Sequence, residues 1–266
     1  DGIASLTSWI LGTTAGQNVL KASTSGFSEL TFAALGSEDL KAIFTSSGNW
    51  TVPAGVTEII VEGWGAGGAG GSVAGQNNRI RAAAGGGGGA YARKKLQVTP
   101  GQVLSLQVGQ GGSASGFLNG SAGGDTFITE LDTQFLAKGG SGGAGNNGTA
   151  FVGAAGGSAL NSRGDVVTAG GNGGPGSNSG NSGAGGNGAN GGGLGGASVS
   201  TSPTAGNPGQ APGGGGSGAR VIGNTNRFGG DGGSGRIVIT YPKPVNQFRA
   251  ATSGNWEDNA TWEQQF

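Results

Sequence analysis

The residues that come closest to catalytic chemistry are carboxylates. Glu58 and Glu62 lie four positions apart, so on a strand they share a face, and Asp125, Glu130 and Asp132 flank a stretch that reads as a hairpin. Paired carboxylates hydrolyse glycosides when one is a general acid and the other a nucleophile or base. Exposed acids on strand faces and turns account for these positions equally well. The chain has no His and no Cys, so it lacks the commonest general base and metal ligand as well as any thiolate. The expectation is therefore no enzyme, no catalytic residue, no cofactor and no metal site. Gly65-Ala66-Gly67-Gly68-Ala69-Gly70 matches the dinucleotide fingerprint after a predicted strand, but no helix follows it. Among 66 glycines the pattern recurs by chance. The sequons at Asn49, Asn119, Asn147 and Asn259 and the tripeptide Arg163-Gly164-Asp165 are short enough to be accidental, and no role is assigned to them.

Binding chemistry has better candidates. Five islands interrupt the glycine runs: 76–81, 116–119, 146–152, 160–167 and 224–228. Each mixes Asn or Arg with an apolar or aromatic residue, the combination that binding surfaces favour. The receptor-binding candidates are Asn78, Arg79, Arg81, Phe117, Leu118, Asn119, Phe151, Arg163, Arg227 and Phe228.

Strands must position these islands. Residues 57–64 are rich in β-branched and aromatic side chains and follow the turn signal Pro53-Ala54-Gly55. Residues 90–98 form a second predicted strand, Thr99-Pro100-Gly101 turns the chain, and 102–108 alternate in polarity. Residues 125–129 and 134–137 read as a hairpin, and 236–241 as the last strong strand before Pro242 and Pro244. Short strands between turn signals predict an antiparallel β-sandwich. Residues 27–44 read differently, as a pair of short amphipathic helices broken at Gly36, with Ser37 as N-cap.

Glycine dominates residues 139–235. Ala184, Asn187 and Asn190 recur every three positions, as do Asn172, Pro175 and Asn178. Three is the period of the polyproline II helix, which has no internal hydrogen bonds and leaves each backbone N–H and C=O for a neighbour. The block is therefore expected to be a bundle of glycine-rich polyproline II (polyglycine II) helices rather than a linker, with each triplet on an outward edge.

Composition limits the partners. Fourteen basic and fourteen acidic residues give a formal net charge of zero, and charged residues make up only 11% of the chain. No basic stripe is evident for nucleic acid, and no apolar run is long enough to insert in a bilayer. The chain opens on Asp1 rather than Met, as expected of a piece of a longer gene product or a processed one.

The signature from Phe44 to Gly68, with Gly48-Asn49-Trp50-Thr51-Val52-Pro53 and Val61-Glu62-Gly63-Trp64-Gly65 at its heart, resembles a recurrent glycine-rich domain of bacteriophage tail fibres and some bacterial surface proteins. Residues 85–91, 123–126 and 229–241 are similar to its later pieces, and residues 12–44 resemble connectors that precede fibre tips. The resemblance implies three parts: a connector and oligomerisation segment, 1–45; a glycine-rich β-sandwich with an inserted bundle, 46–241, the bundle mainly at 139–235; and a C-terminal extension or further module, 242–266. It implies a non-enzymatic adhesin on a virion tail fibre, outside the cell. Its partners are a host cell-surface receptor, other copies in a homotrimer and other tail proteins, without nucleic acid or membrane insertion. The alternative is a self-assembling extracellular filament or sheath without a receptor. A third reading, ice binding, needs flat regular faces that the Arg and Phe islands interrupt.

Overall fold

The computed structural model describes residues 16–22, 30–36, 39–75, 79–115, 118–147, 152–201, 203–243, 247–250 and 262–265. The chain divides into two compact units, one of residues 41–240 and one of residues 1–40 with 241–266. In the smaller unit, β1 (Gly16–Ala22) pairs antiparallel with β2 (Leu30–Gly36), Gly16 opposite Gly36 and Ala22 opposite Leu30. The C-terminal strands β14 (Gln247–Ala250) and β15 (Trp262–Gln265) form a second antiparallel pair.

The helices expected over 27–44 are not formed: β2 and β3 (Leu40–Phe44) occupy that span. The proposed cap, Ser37, lies outside the described residues. A helix of two turns is marginal without strong tertiary support, whereas β1 offers β2 a full antiparallel ladder. The β-favouring pair Thr31 and Phe32 belongs to it, opposite Lys21 and Leu20.

The larger unit contains two principal antiparallel sheets. One has four strands: β4 (Gly48–Thr51), β8 (Val103–Gln107), β9 (Thr126–Ile128) and β10 (Leu136–Ala137), in the order β10-β9-β8-β4. The other joins β3 to β5 (Glu58–Trp64), β7 (Tyr91–Gln97), β11 (Val166–Thr168) and β13 (Arg236–Tyr241), in the order β11-β7-β5-β13-β3. A two-stranded ribbon of β6 (Ile80–Ala82) and β12 (Arg220–Ile222) lies apart from both. Two turns form as their residues dictate. Val56 N–H returns to Pro53 O at 3.2 Å and Gln102 N–H to Thr99 O at 2.9 Å. Gly55 and Gly101 supply the positive φ, 77° and 81°, that a type II turn requires.

Alternation along β5 turns Ile59, Val61 and Gly63 inward, and β8 turns in Leu104 and Leu106. With Val52, Val56, Ile128, Phe135, Ile237 and Ile239 these residues are buried to within 1% of full exclusion. β5 of the five-stranded sheet contacts β9 and β10 of the other.

Beyond Trp64 the side-chain core ends and backbone takes its place. Each residue from Gly65 to Val73 donates its N–H to another segment, and the recipients rotate in threes. Gly65, Gly68 and Gly71 donate to Ala90, Gly87 and Ala84; Ala66, Ala69 and Ser72 to Gly124, Ser121 and Leu118; Gly67, Gly70 and Val73 to Gly233, Gly230 and Arg227. Residues 82–90 repeat the scheme toward 171–177, 213–219 and 138–144. These two stretches are the innermost of the block, and they precede the 139–235 region in the chain. The triplets Ala184-Asn187-Asn190 and Asn172-Pro175-Asn178 are exposed at every third position, while Gly183, Gly186 and Ala189 are buried. The latter three donate to Ala83, Gly86 and Gly89.

Trp64 closes the junction between the sheets and the block. Its indole N–H donates to Ala189 O at 2.9 Å, its ring lies 5.1 Å from that of Tyr91, and the Arg236 guanidinium sits 5.5 Å from its centroid.

Candidate functional site

Four of the five candidate carboxylates, Glu58, Glu62, Asp125 and Glu130, are engaged in the framework. Glu58 receives Lys95 Nζ at 2.8 Å and Gln97 Nε2 at 2.9 Å, and Glu62 accepts the Tyr91 hydroxyl at 2.6 Å. Asp125 takes Lys138 Nζ at 2.5 Å and Gly139 N–H at 2.9 Å, and Glu130 takes Ser105 N–H at 3.0 Å. Asp165 of the Arg-Gly-Asp tripeptide binds Lys94 Nζ at 2.6 Å and Lys95 N–H at 2.9 Å. Among the described residues there is no cluster of acidic side chains able to hold a metal ion, and no helix is long and apolar enough to cross a membrane.

These contacts set the pH dependence of stability. Hydrogen bonds from Lys95, Ser105 and Lys94 hold Glu58, Glu130 and Asp165 respectively below their ordinary values of 4.5, 4.5 and 3.8. On acidification the unfolded chain therefore takes up protons first. The stabilisation is complete above about pH 5 and is lost as pH falls through the folded values. Burial, reinforced by the bond to Glu62, raises the Tyr91 phenol above its ordinary 10.0. Its contribution is complete below pH 10 and is lost as pH rises beyond it. With no histidine in the chain, the melting temperature is expected to be flat between about pH 5 and 9 and to fall on both sides. A thermal-melting series checks this, and a step near pH 6.5 contradicts it.

The islands are arranged by the path of the chain. It leaves β5 along 65–73 and returns along 82–90 to β7, as the register of the hydrogen bonds requires. The stretches 109–114 and 118–124, 138–146 and 153–157, 170–177 and 182–189, and 213–220 and 227–235 make similar excursions from the sheet side and back. Their reversals consequently meet at the end remote from the sheets.

Contacts between distant residues document the meeting. Val73 and Arg227 exchange both backbone hydrogen bonds, at 2.9 and 3.0 Å, and Ser72 N–H reaches Leu118 O at 2.9 Å. Gly75 N–H donates to Asn226 Oδ1 at 3.0 Å, and Gly145 N–H to Asn119 Oδ1 at 3.0 Å. β6 pairs with β12, setting Arg81 opposite Val221. Beneath them Val73, Ala83, Ala219 and Val221 form a small apolar core. Asn146, 1% exposed, shares its amide protons among Ala82 O, Ser177 O and Asn178 Oδ1 at 3.0–3.2 Å. Arg220 Nε donates to Gly180 O at 2.8 Å.

The structure thus brings together Arg79, Arg81, Leu118, Asn119, Arg227 and Phe228. Leu118 and Phe228 are exposed, as are Val152 and Ile222 of the same end. Arg81 is buried, with Nη1 donating to Ala74 O at 3.3 Å. Arg163 is set apart: its backbone pairs with Leu136 and its Nη1 donates to Asp132 O at 3.2 Å, at the sheets. Its island lies in the link between one excursion and the next, so the chain path carries it to the opposite end. Asn78, Phe117 and Phe151 lie outside the described residues.

An open cleft of about 290 Å³ lies on this end, lined by Arg79, Ile80, Arg81, Asn178 and Ser179. Asn178 and Ser179 are absent from the sequence-based candidates, as are Asn146 and Arg220. Asn178 is visible in the sequence as the last member of an outward triplet, and Arg220 as a charge ending a glycine run.

One family model, described as a glycine-rich domain, matches residues 44–242. No curated protein matches the chain.

Proposed function

The chain belongs to the family of glycine-rich domains, and on that footing we propose that it is the distal module of a bacteriophage tail fibre. In this reading it is a non-enzymatic adhesin, carried outside the cell on the virion, that grips a host surface protein or glycan. The architecture we infer is a β-sandwich bearing a bundle of polyglycine II helices. Hydrogen bonds that rotate among neighbours every three residues support the helices, and the contacts of β5 with β9 and β10 support the sandwich.

The observation that carries the function is convergence. Islands far apart in sequence meet at the end of the glycine block remote from the sheets, where they present exposed Leu118, Val152, Ile222 and Phe228 beside Arg79. Loops on a rigid scaffold are where recognition concentrates. A homotrimer joined through residues 1–45 completes the proposal.

The test is binding of fluorescently labelled protein to a panel of bacterial strains, with and without their surface proteins and lipopolysaccharide. Saturable, strain-selective binding is expected. It should weaken at least tenfold when Arg79, Phe117 and Phe228 are changed to Ala, with the far-ultraviolet circular dichroism unchanged. Binding to no strain, together with concentration-dependent assembly into fibres, overturns the adhesin in favour of a structural filament.

A further inference from the structure

The zero net charge of the chain conceals a segregation of charge. Arg79, Arg81, Arg220 and Arg227 all lie at the end of the glycine block remote from the sheets. No Asp or Glu occurs at positions 63–124, 133–164 or 166–230, which include every reversal of that end. The acids of the larger unit lie instead on the sheets or, like Asp231, along a returning stretch, where its carboxylate accepts Ala114 N–H at 2.8 Å. Within the larger unit the remote end is therefore electropositive, and among its described residues an oxyanion meets guanidinium groups rather than carboxylates there.

The cleft gives this charge a shape. Ile80 and Arg81 belong to β6, Arg79 immediately precedes it, and Asn178 and Ser179 are the other lining residues among those described. The Asn178 side chain is held by Asn146 and the Ser179 N–H by Ser177 Oγ at 3.1 Å, so the polar wall is pre-positioned. At about 290 Å³ the cleft is just below the usual range for ligand sites, roughly 300–1,000 Å³. That is too small for a protein domain and suited to a single ring. Guanidinium groups bind phosphate and carboxylate with directional, charge-assisted hydrogen bonds. Amide and hydroxyl groups match sugar hydroxyls, and Ile80 offers an apolar contact to a ring face. Among the described residues that line the cleft there is no aromatic ring to stack a nucleobase.

We propose that this cleft takes one acidic sugar residue of a surface glycan, its phosphate or carboxylate held by the exposed Arg79 with the buried charge of Arg81 behind it, and its hydroxyls by Asn178 and Ser179. The inference rests on the adhesin reading and names the chemistry of its receptor.

The experiment is biolayer interferometry of the full chain on immobilised phosphomannan, polygalacturonate and neutral mannan, the first two separating phosphate from carboxylate. Saturable binding to at least one acidic polymer is expected, at least tenfold tighter than to neutral mannan. Arg79→Ala should weaken it by about 10- to 100-fold, the worth of one charge-assisted contact. Lys95→Ala, which removes the same charge from the five-stranded sheet, should change it less than twofold. Equal affinity for neutral mannan, binding to neither acidic polymer, an equal loss with Lys95→Ala, or tighter binding to a single-stranded oligonucleotide each overturns the proposal. Strain-selective cell binding that survives Arg79→Ala also overturns it while leaving the adhesin in place. Acidic-glycan binding without attachment to any strain upholds the cleft and removes the adhesin.

Discussion

Gly87→Ala is expected to lower the melting temperature by 10–20 °C or to prevent folding, although it adds a single methyl group. An ideal Cβ at Gly87 falls 2.0 Å from Ala155 O and 2.5 Å from its carbon, and these are backbone atoms of a neighbouring stretch. That stretch cannot retreat cheaply. Ala155 O accepts from Ser141 N–H at 3.0 Å, Ala154 N–H donates to Gly85 O at 3.1 Å, and Gly157 N–H to Gly88 O at 2.8 Å. Overpacking alone costs about 1–3 kcal/mol, and each buried backbone group left unpaired adds about 1–3. A total near 5 kcal/mol is a large part of the stability of an ordinary domain, and it corresponds to roughly 10–20 °C for a chain of this size. Gly48→Ala is the matched control: its Cβ meets nothing within 4 Å on an exposed strand. It should stay within about 0.5 kcal/mol of the parent. Scanning calorimetry of the two variants decides the matter, and equal melting temperatures contradict the backbone-packed reading.

That sensitivity bears on how the remote end works. Loops that recognise a ligand need a scaffold that keeps their roots fixed while their sequences differ. Here the roots are tied by main-chain hydrogen bonds such as Ser72 N–H to Leu118 O and Val73 to Arg227, which do not depend on side-chain identity. In the proposed adhesin, exposed side chains at the reversals such as Leu118 and Arg79 could change without cutting those ties, whereas the glycines behind them are not open to change.

The strands of the larger unit were legible because alternation and turn chemistry agree there. Pro53-Ala54-Gly55 and Thr99-Pro100-Gly101 bracket runs whose inward residues, Ile59, Val61, Leu104 and Leu106, are buried. The outward triplets were legible because a surface stretch of the block has one edge free for a side chain. Gly85-Gly86-Gly87-Gly88-Gly89 has no such edge, because neighbours surround it. Lacking a period, the run carries no readable pattern, and the innermost position passed as undifferentiated glycine. The strands over 30–44 were missed because their ladder partners are supplied by other parts of the chain: β1 for β2 and β13 for β3. Periodicity within the segment does not register such partners. Convergence of the islands was hidden for a related reason, since it depends on counting excursions. Arg163 belongs by composition with Arg79 and Arg227, yet its backbone pairing with Leu136 places it at the sheets.

Phe135→Ala is expected to cost about 3–5 kcal/mol, the usual range for a buried aromatic truncated to a methyl group, and so to lower the melting temperature by roughly 6–20 °C. Among the described residues Phe135 is the largest of the fully buried side chains, and its ring lies directly against Gly63 of β5. A Cβ built on Gly63 falls 2.7 Å from Phe135 Cζ and 3.3 Å from Cε1. The glycine and the ring are therefore one feature: the missing side chain on β5 makes room for the edge of the ring that immediately precedes β10. Gly63→Ala alone should destabilise by about 1–3 kcal/mol, since the ring must move within a filled space. In the Phe135→Ala background the same substitution meets no ring, and its cost should largely disappear. The double variant should then be more stable than the sum of the single losses implies, by about the full cost of Gly63→Ala. Denaturant unfolding of the four proteins measures this coupling. Strict additivity would mean that ring and glycine do not share the space between the sheets. Coupling of the expected sign fixes that contact one residue before Trp64, where β5 gives way to the first stretch of the glycine block, so the excursions toward the remote end start from a packed base.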